Sequence, residues 1–219
     1  MNTPANASPA LELALNGICA LPQWGVIQAE GEDAASFLHN QLSNDVLLLP
    51  AGQSRLAAFC SAKGRMQASF IVVKTAPNTI LLVLSLDLLA QTLKRLSMFV
   101  LRAKVKLTDA TGQWQLRGLL GKSAHGLLGH AAPWHTLHAA GAFAVALYPC
   151  VLGNAQVPRA VWLAPTGQAL PEGPELPSDV WPWAEVMSGV TLLSQPVFEA
   201  FVPQMLNYES VGGVNFKKG

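Results

Sequence analysis

An α+β fold, laid out as two consecutive domains, is what this sequence predicts, and three observations predict it. Between Trp24 and Thr108, strand-period and helix-period segments follow in the order β-α-β-β-β-α-β, which belongs to a mostly antiparallel, ferredoxin-like sheet with helices on one face. From Asp109 the texture changes to short strand-like runs broken by Gly and Pro. This places a first domain over 1–108 and a second α+β domain over 109–219, with residues 1–22 a candidate to pack on the second. The chain is also 51% apolar and only 12% charged over 219 residues, enough to bury real cores.

The elements follow from local pattern. Trp24 to Ala29 reads as a strand, and Gly31-Glu-Asp opens a helix with acids at its positive end. Ala34, Phe37, Leu38, Gln41 and Leu42 keep helical spacing until Ser43-Asn44-Asp45 halts it. Arg55 to Cys60 and Arg65 to Lys74 form a hairpin about the turn Ser61-Ala-Lys-Gly64, and Ile80 to Leu84 is a further strand. Ser85 and Asp87 open a second helix whose apolar stripe is Leu86, Leu89, Leu93, Leu96 and Val100, with Gln91, Lys94 and Arg95 facing water. Ala103 to Thr108 closes the domain as a strand.

In the second half, Gln113 to Leu120, Ala142 to Leu147 and Ala160 to Leu163 read as strands and Ser123 to His130 as a short helix. Residues 165–177 are a Pro- and Gly-rich loop. Trp181 to Ser188 is helical, because Ser178 and Asp179 are able to cap it, Pro182 fits the first turn and Gly189 ends it. Near the end, Gly212-Gly213 allows angles that a Cβ would forbid, and Val214-Asn215-Phe216 alternates as a strand would, delivering Lys217 and Lys218 to a defined place.

Charge and cysteine usage narrow the function. With 14 basic and 13 acidic side chains, no electrostatic footprint argues for direct nucleic-acid or membrane-surface binding. The N-terminus has no Lys or Arg before its apolar run, so a secretory signal is not expected, and no run is long enough to span a bilayer. Cys19, Cys60 and Cys150 are far apart and odd in number, which suits buried thiols in a reducing cytoplasm.

The chemical motifs are few. Gly121-Lys122-Ser123 looks like the end of a phosphate-binding loop, but Leu116 stands where its first glycine belongs. His125, His130, His135 and His138 cluster, yet their spacing does not bring the first three to one helical face, and they read as surface or loop histidines with no metal implied. His39 reads as an edge or core residue. No nucleophile elbow and no paired carboxylates appear, so the catalytic residues are unknown. Lys63 and Arg65 flank the Gly64 turn, and Lys217 and Lys218 precede Gly219; either pair suits the carboxylates of an anionic ligand. Of six tryptophans, Trp24, Trp181 and Trp183 begin elements and offer faces for a planar heterocycle.

Four blocks then resemble a known family: Gly31-Glu-Asp-Ala-Ala-x-Phe-Leu-x-x-Gln-Leu-x-Asn-Asp-Val46, Phe59-Cys-x-Ala-Lys-Gly-Arg65, Pro203-Gln-x-x-Asn207 and Gly212-Gly-Val-x-Phe-x-Lys-Gly219. Their order and spacing are similar to the YgfZ-type folate-binding proteins, relatives of the glycine-cleavage aminomethyltransferase. The resemblance implies two aminomethyltransferase-type α+β domains, and a family signature Lys-Gly-Cys-Tyr-x-Gly-Gln-Glu and C-terminal β-barrel domain that this sequence stops short of. It implies a cytoplasmic, tetrahydrofolate-binding accessory protein that supports iron–sulfur cluster assembly or repair, with iron–sulfur proteins as partners and an indirect effect on tRNA modification.

Carried over by position, Trp24 and Trp181 would contact the folate in a channel between the domains. Lys63, Arg65 or Lys218 would lie near its glutamate tail, and Gln204 and Asn207 belong to the matched blocks. Two departures weigh against aminomethyl transfer. Gly64-Arg-Met-Gln-Ala68 lacks the carboxylate of the transferase, and Met187 stands where relatives often carry Glu. A folate-dependent one-carbon transferase and a partner-binding scaffold are the alternatives.

Overall fold

The structure, a computed structural model, describes residues 15–177 and 179–218. What the sequence suggested for residues 1–14, for the Ser178 cap and for Gly219 lies outside them. The described residues gather into two compact units, one of 22–114 with 192–218 and the other of 15–21 with 115–177 and 179–191. The sequence reading placed 192–219 with the second domain; here residues 192–218 pack with the first, for reasons of hydrogen bonding given below.

The first unit is an antiparallel sheet of β2 (Trp24–Glu30), β3 (Gln53–Cys60), β4 (Met66–Ala76), β5 (Thr79–Ser85) and β6 (Lys106–Asp109), in the order β3-β4-β5-β2-β6. Residues 66–73 of β4 are all buried, as a central strand covered on both faces requires. The hairpin turn closes with Gly64 N–H on the Ser61 carbonyl at 2.9 Å, and Gly64 takes φ 74°.

Helix α1 (Ala34–Gln41) and helix α2 (Leu86–Ser97) complete this layer. Gly25 lets α2 approach: a Cβ there would fall 2.5 Å from Leu89 Cδ1. The buried face of α2 is Leu88, Leu89, Thr92 and Leu96, so the expected stripe is rotated. Leu86 is exposed, and Val100 lies past the helix end. Gln91 is exposed, as expected, and donates to Gln195 Oε1 at 2.6 Å, while Asp87 accepts Gln195 N–H at 3.0 Å. These long side chains fasten a returning segment that sequence spacing does not reveal.

The second unit carries β1 (Gly17–Ala20), β7 (Trp114–Leu120), β8 (Thr136–Ala139), β9 (Ala142–Leu152) and β10 (Ala155–Pro165) in the order β1-β7-β10-β9-β8. Helix α3 (Lys122–Leu128) sets Ala124, Leu127 and Leu128 against Ile18, Leu119, Ala144 and Trp162. Helix α4 (Val180–Ser188) buries Trp181 and Ala184 and ends on Gly189 at φ 69°, as its C-terminal glycine foretold. Asp179 occupies the N-cap but makes no side-chain capping bond. Among the described residues, no helix is long and apolar enough to cross a membrane.

Candidate functional site

A set of long-range polar contacts lies in the first unit, where the end of the chain docks on the turn after α1. Ser43 Oγ donates to the Gly213 carbonyl at 2.6 Å and accepts Ala58 N–H at 2.7 Å. Asn44 Nδ2 donates to the carbonyls of Leu56 and Gly212 at 2.8 and 2.7 Å. Asn215 N–H returns to the Ser43 carbonyl at 3.0 Å. The expected strand at Val214–Phe216 is not formed: this backbone bonds to a turn and to side chains instead of to a neighbouring strand, and Phe216 is exposed.

The two glycines do different work. Gly212 takes φ 74°, whereas Gly213 is needed for space, because a Cβ would penetrate the ring of the fully buried Tyr208.

This docking gathers charge. Lys218 Nζ donates to the Leu42 carbonyl, and burial lowers its pKa while the nearby Asp45 charge raises it. Asp45 accepts Leu48 N–H at 2.9 Å and faces His39 Nδ1 at 3.2 Å. Burial pushes its carboxyl up, but the Leu48 bond, His39 and Arg55 outweigh that and hold it below the usual range. Arg55, Asn44, Asn215 and Lys217 line an adjoining cleft of about 430 Å³. Such a cleft presents a guanidinium and an ammonium beside amide groups, chemistry suited to a carboxylate or phosphate.

The other residues singled out from sequence are placed as follows. Arg65 Nη1 donates to the Ala200 carbonyl at 2.8 Å, and Met66 N–H to that of Phe201, so the hairpin end is tied to the returning segment. Lys63 is exposed on the turn. Gln204 and Asn207 are exposed around a 3-10 turn, Pro203–Leu206, where Asn207 has φ 54° and its carbonyl accepts Ser210 N–H. Lys63, Arg65 and Lys218 thus share the unit of Gln204 and Asn207, and Lys218 reaches the Leu42 carbonyl just before the Ser43–Asp45 turn.

Trp24 begins β2 opposite Ser85 and is 5% exposed. Trp181 belongs to the second unit and is 1% exposed. Its ring rests against Gly118, where a Cβ would clash with it, and the Arg159 guanidinium carbon lies 4.8 Å from the ring centroid. The Trp181 side chain lies near enough to Glu185 to favour its charged form. Burial lowers the Arg159 pKa to about 10 and raises that of Glu185, and each charge opposes the other's shift.

Sequence reasoning missed Asn44, Asp45, Arg55, Arg159 and Glu185 as site residues. For the first two, their presence in a matched block was the available signal; for the others, sequence carried none. The three thiols are buried or half-buried, and burial raises Cys19 and Cys60 each to about 11, so neither is a ready thiolate.

Comparison with known proteins adds to this geometry. The model of the GCVT N-terminal domain family matches residues 16–149. An uncharacterized protein of Haemophilus influenzae is 26% identical over 201 residues, covering 91% of this chain and 63% of that protein. The tRNA-modifying protein YgfZ of Colwellia psychrerythraea is 26% identical over 223 residues, 99% of this chain and 68% of that one. The protein of the same name from Edwardsiella ictaluri is 27% identical over 239 residues, 100% and 69%. The chain therefore spans about two thirds of the length of the curated relatives it matches. Among solved structures, glycine cleavage system aminomethyltransferase T from Bartonella henselae shares the fold at TM-score 0.58 and 18% identity, over 72% of this chain and 44% of that one.

Proposed function

The chain belongs to the GCVT N-terminal domain family, similar over nearly its whole length to YgfZ proteins, and from that premise we propose that it is a tetrahydrofolate-binding accessory protein. In this reading it acts in the cytoplasm, supports assembly or repair of iron–sulfur clusters in partner proteins, and affects tRNA modification through them. One observation carries the proposal: blocks far apart in sequence that bear the YgfZ resemblance meet in space. Gln41–Val46 holds Gly212–Lys218, and Arg65 holds the chain leading into Pro203.

The residues present fit a folate chemically. Lys63, Arg65 and Lys218 offer cations for its carboxylates, Gln204 and Asn207 offer exposed amides, and either Trp24 in the first unit or Trp181 in the second offers an indole face for its pterin. Both indoles are nearly covered in this structure, so stacking on either requires a neighbour to move. For Trp181 that neighbour is Arg159.

The test is titration of the full-length protein with tetrahydrofolate, followed by calorimetry and tryptophan fluorescence. Saturable binding is expected. Trp24→Ala and Trp181→Ala should weaken it about tenfold or more, in line with a lost stacking contact of about 1–3 kcal/mol, with circular dichroism of each variant checking that it is folded. Absence of binding at millimolar ligand would sink the folate reading.

A second reading, a folate-dependent one-carbon transferase, is favoured by one contact. Gln67, in the Gly64–Ala68 stretch that lacks a carboxylate, donates to Glu199 Oε1 at 2.6 Å, so an acid reaches this place from elsewhere in the chain. Glu199 also holds φ 57°, a costly conformation for a residue with a side chain. Turnover of labelled methylene-tetrahydrofolate, lost in Glu199→Gln, would decide for this reading.

A further inference from the structure

Two histidines that sequence spacing separates are brought face to face in the second unit. His125 lies on α3 and His130 follows the helix, five residues on, a spacing that a continuous helix would not turn to one side. The helix stops at Gly129, whose φ of 59° reverses the chain, and Gly129 N–H closes the turn on the His125 carbonyl at 2.6 Å. The Nε2 atoms of the two rings then stand 3.4 Å apart, with the rings at 74°.

At 3.4 Å the two nitrogens meet as a long hydrogen bond. The same separation matches the edge of a coordination tetrahedron: metal–nitrogen bonds of about 2.0–2.1 Å place two ligand nitrogens about 3.3–3.4 Å apart. Both imidazoles are outside the buried core, so water can fill the remaining positions. The scaffold is also fixed beforehand. Ala124 is buried, Leu127 and Leu128 pack on the sheet, and Ser123 N–H is held by Asn16 Oδ1 at 3.2 Å, so little ordering remains to be done on binding.

We propose that His125 and His130 form a two-histidine site for a divalent transition metal of the zinc, nickel or copper class, completed by solvent or by an oxygen ligand from outside the chain. Among the described residues no group of three or more His, Cys, Asp or Glu converges, so the pair stands as an open site and not a closed structural one. His138 is occupied otherwise, lying flat on Phe143 with centroids 4.3 Å apart. Copper is expected to bind more tightly than nickel or zinc, the usual order for nitrogen ligands.

The experiment is calorimetry of tag-free full-length protein with zinc chloride and then copper chloride, beside His125→Ala, His130→Ala and His138→Ala. One metal per chain is expected. Each of the first two substitutions should weaken binding about tenfold or more, and the third should leave it unchanged. Nitrogen-15 spectra should show both Nε2 signals moving on addition of zinc. Binding that survives either of the first two substitutions, or Nε2 signals that stay fixed while metal binds, would overturn the proposal; so would failure to saturate at millimolar metal.

Discussion

Asn44 uses every hydrogen-bonding role its side chain needs in one place: its amide nitrogen serves the carbonyls of Leu56 and Gly212, and its oxygen accepts Asp45 N–H at 2.8 Å. Replacing it by Ala leaves three backbone groups to find new partners in a site where Asn44 is only 5% exposed. Asn44→Ala is therefore expected to cost about 2–3 kcal/mol in a urea titration, by analogy with other unsatisfied buried groups. The next residue gives a pH dependence. Asp45 is held below its ordinary value of 3.8 in the folded chain, so its contribution to stability is complete above that value and disappears as pH falls through the lower folded one. The stability gap between wild type and Asp45→Asn should narrow as pH falls below 3.8; a gap that holds constant or widens in that range would contradict this. The Asn-Asp pair was visible in the sequence as part of a block, but its role was not, because its partner Gly212 lies 168 residues away.

The terminal block shows the same limit at the scale of an element. Gly-Gly followed by an alternating run was a sound strand signal, and the glycines were indeed required, yet the segment bonds to the Ser43–Asp45 turn and forms no ladder. Periodicity reports which faces a segment presents, not which partner its backbone finds. The short strands β1 and β8, four residues each, fell below what alternation can reveal, while the long β3, β4, β5 and β9 were legible from pattern and turn residues. The two glycines allow a direct test. Gly213→Ala drives a methyl into Tyr208, which has no room to yield, and about 1–3 kcal/mol of overpacking is expected. Gly212→Ala carries about 1–2 kcal/mol of left-handed strain at φ 74°. Thermal melts should thus place both single variants below wild type. In the second unit, Gly118→Ala presses on the Trp181 ring in the same way, so it should both lower the melting temperature and change the near-ultraviolet signal of that indole.

At the scale of the whole molecule, the chain leaves its first sheet after Trp114, builds the second unit, and comes back at Leu192. The sequence showed two α+β halves, because each half carries its own strand and helix punctuation; it did not show the return, because the returning segment has almost no regular structure. That segment nevertheless supplies core. Leu193 and Tyr208 are fully buried, Leu193 N–H is held by Ser69 Oγ at 2.6 Å, and Pro203 is buried beside them in sequence. Tyr208 is hydrogen-bonded to Ser69, and burial raises its phenol well above the ordinary range. Each fully buried large side chain is worth about 1.5–3 kcal/mol of transfer free energy, so removing two of them together with the Ser43 and Asn44 bonds takes away a large part of the stability typical of a domain. A chain ended after Thr191 is expected to lose its cooperative denaturation and its amide-exchange protection in β3 and β4, although every strand of the first sheet is still present. If the first unit depends on the returning segment in this way, co-expressing residues 192–218 as a separate peptide should restore protection in β3 and β4. Full protection in the shortened chain without the peptide would show that the sheet stands alone and that the terminal block serves the ligand site only.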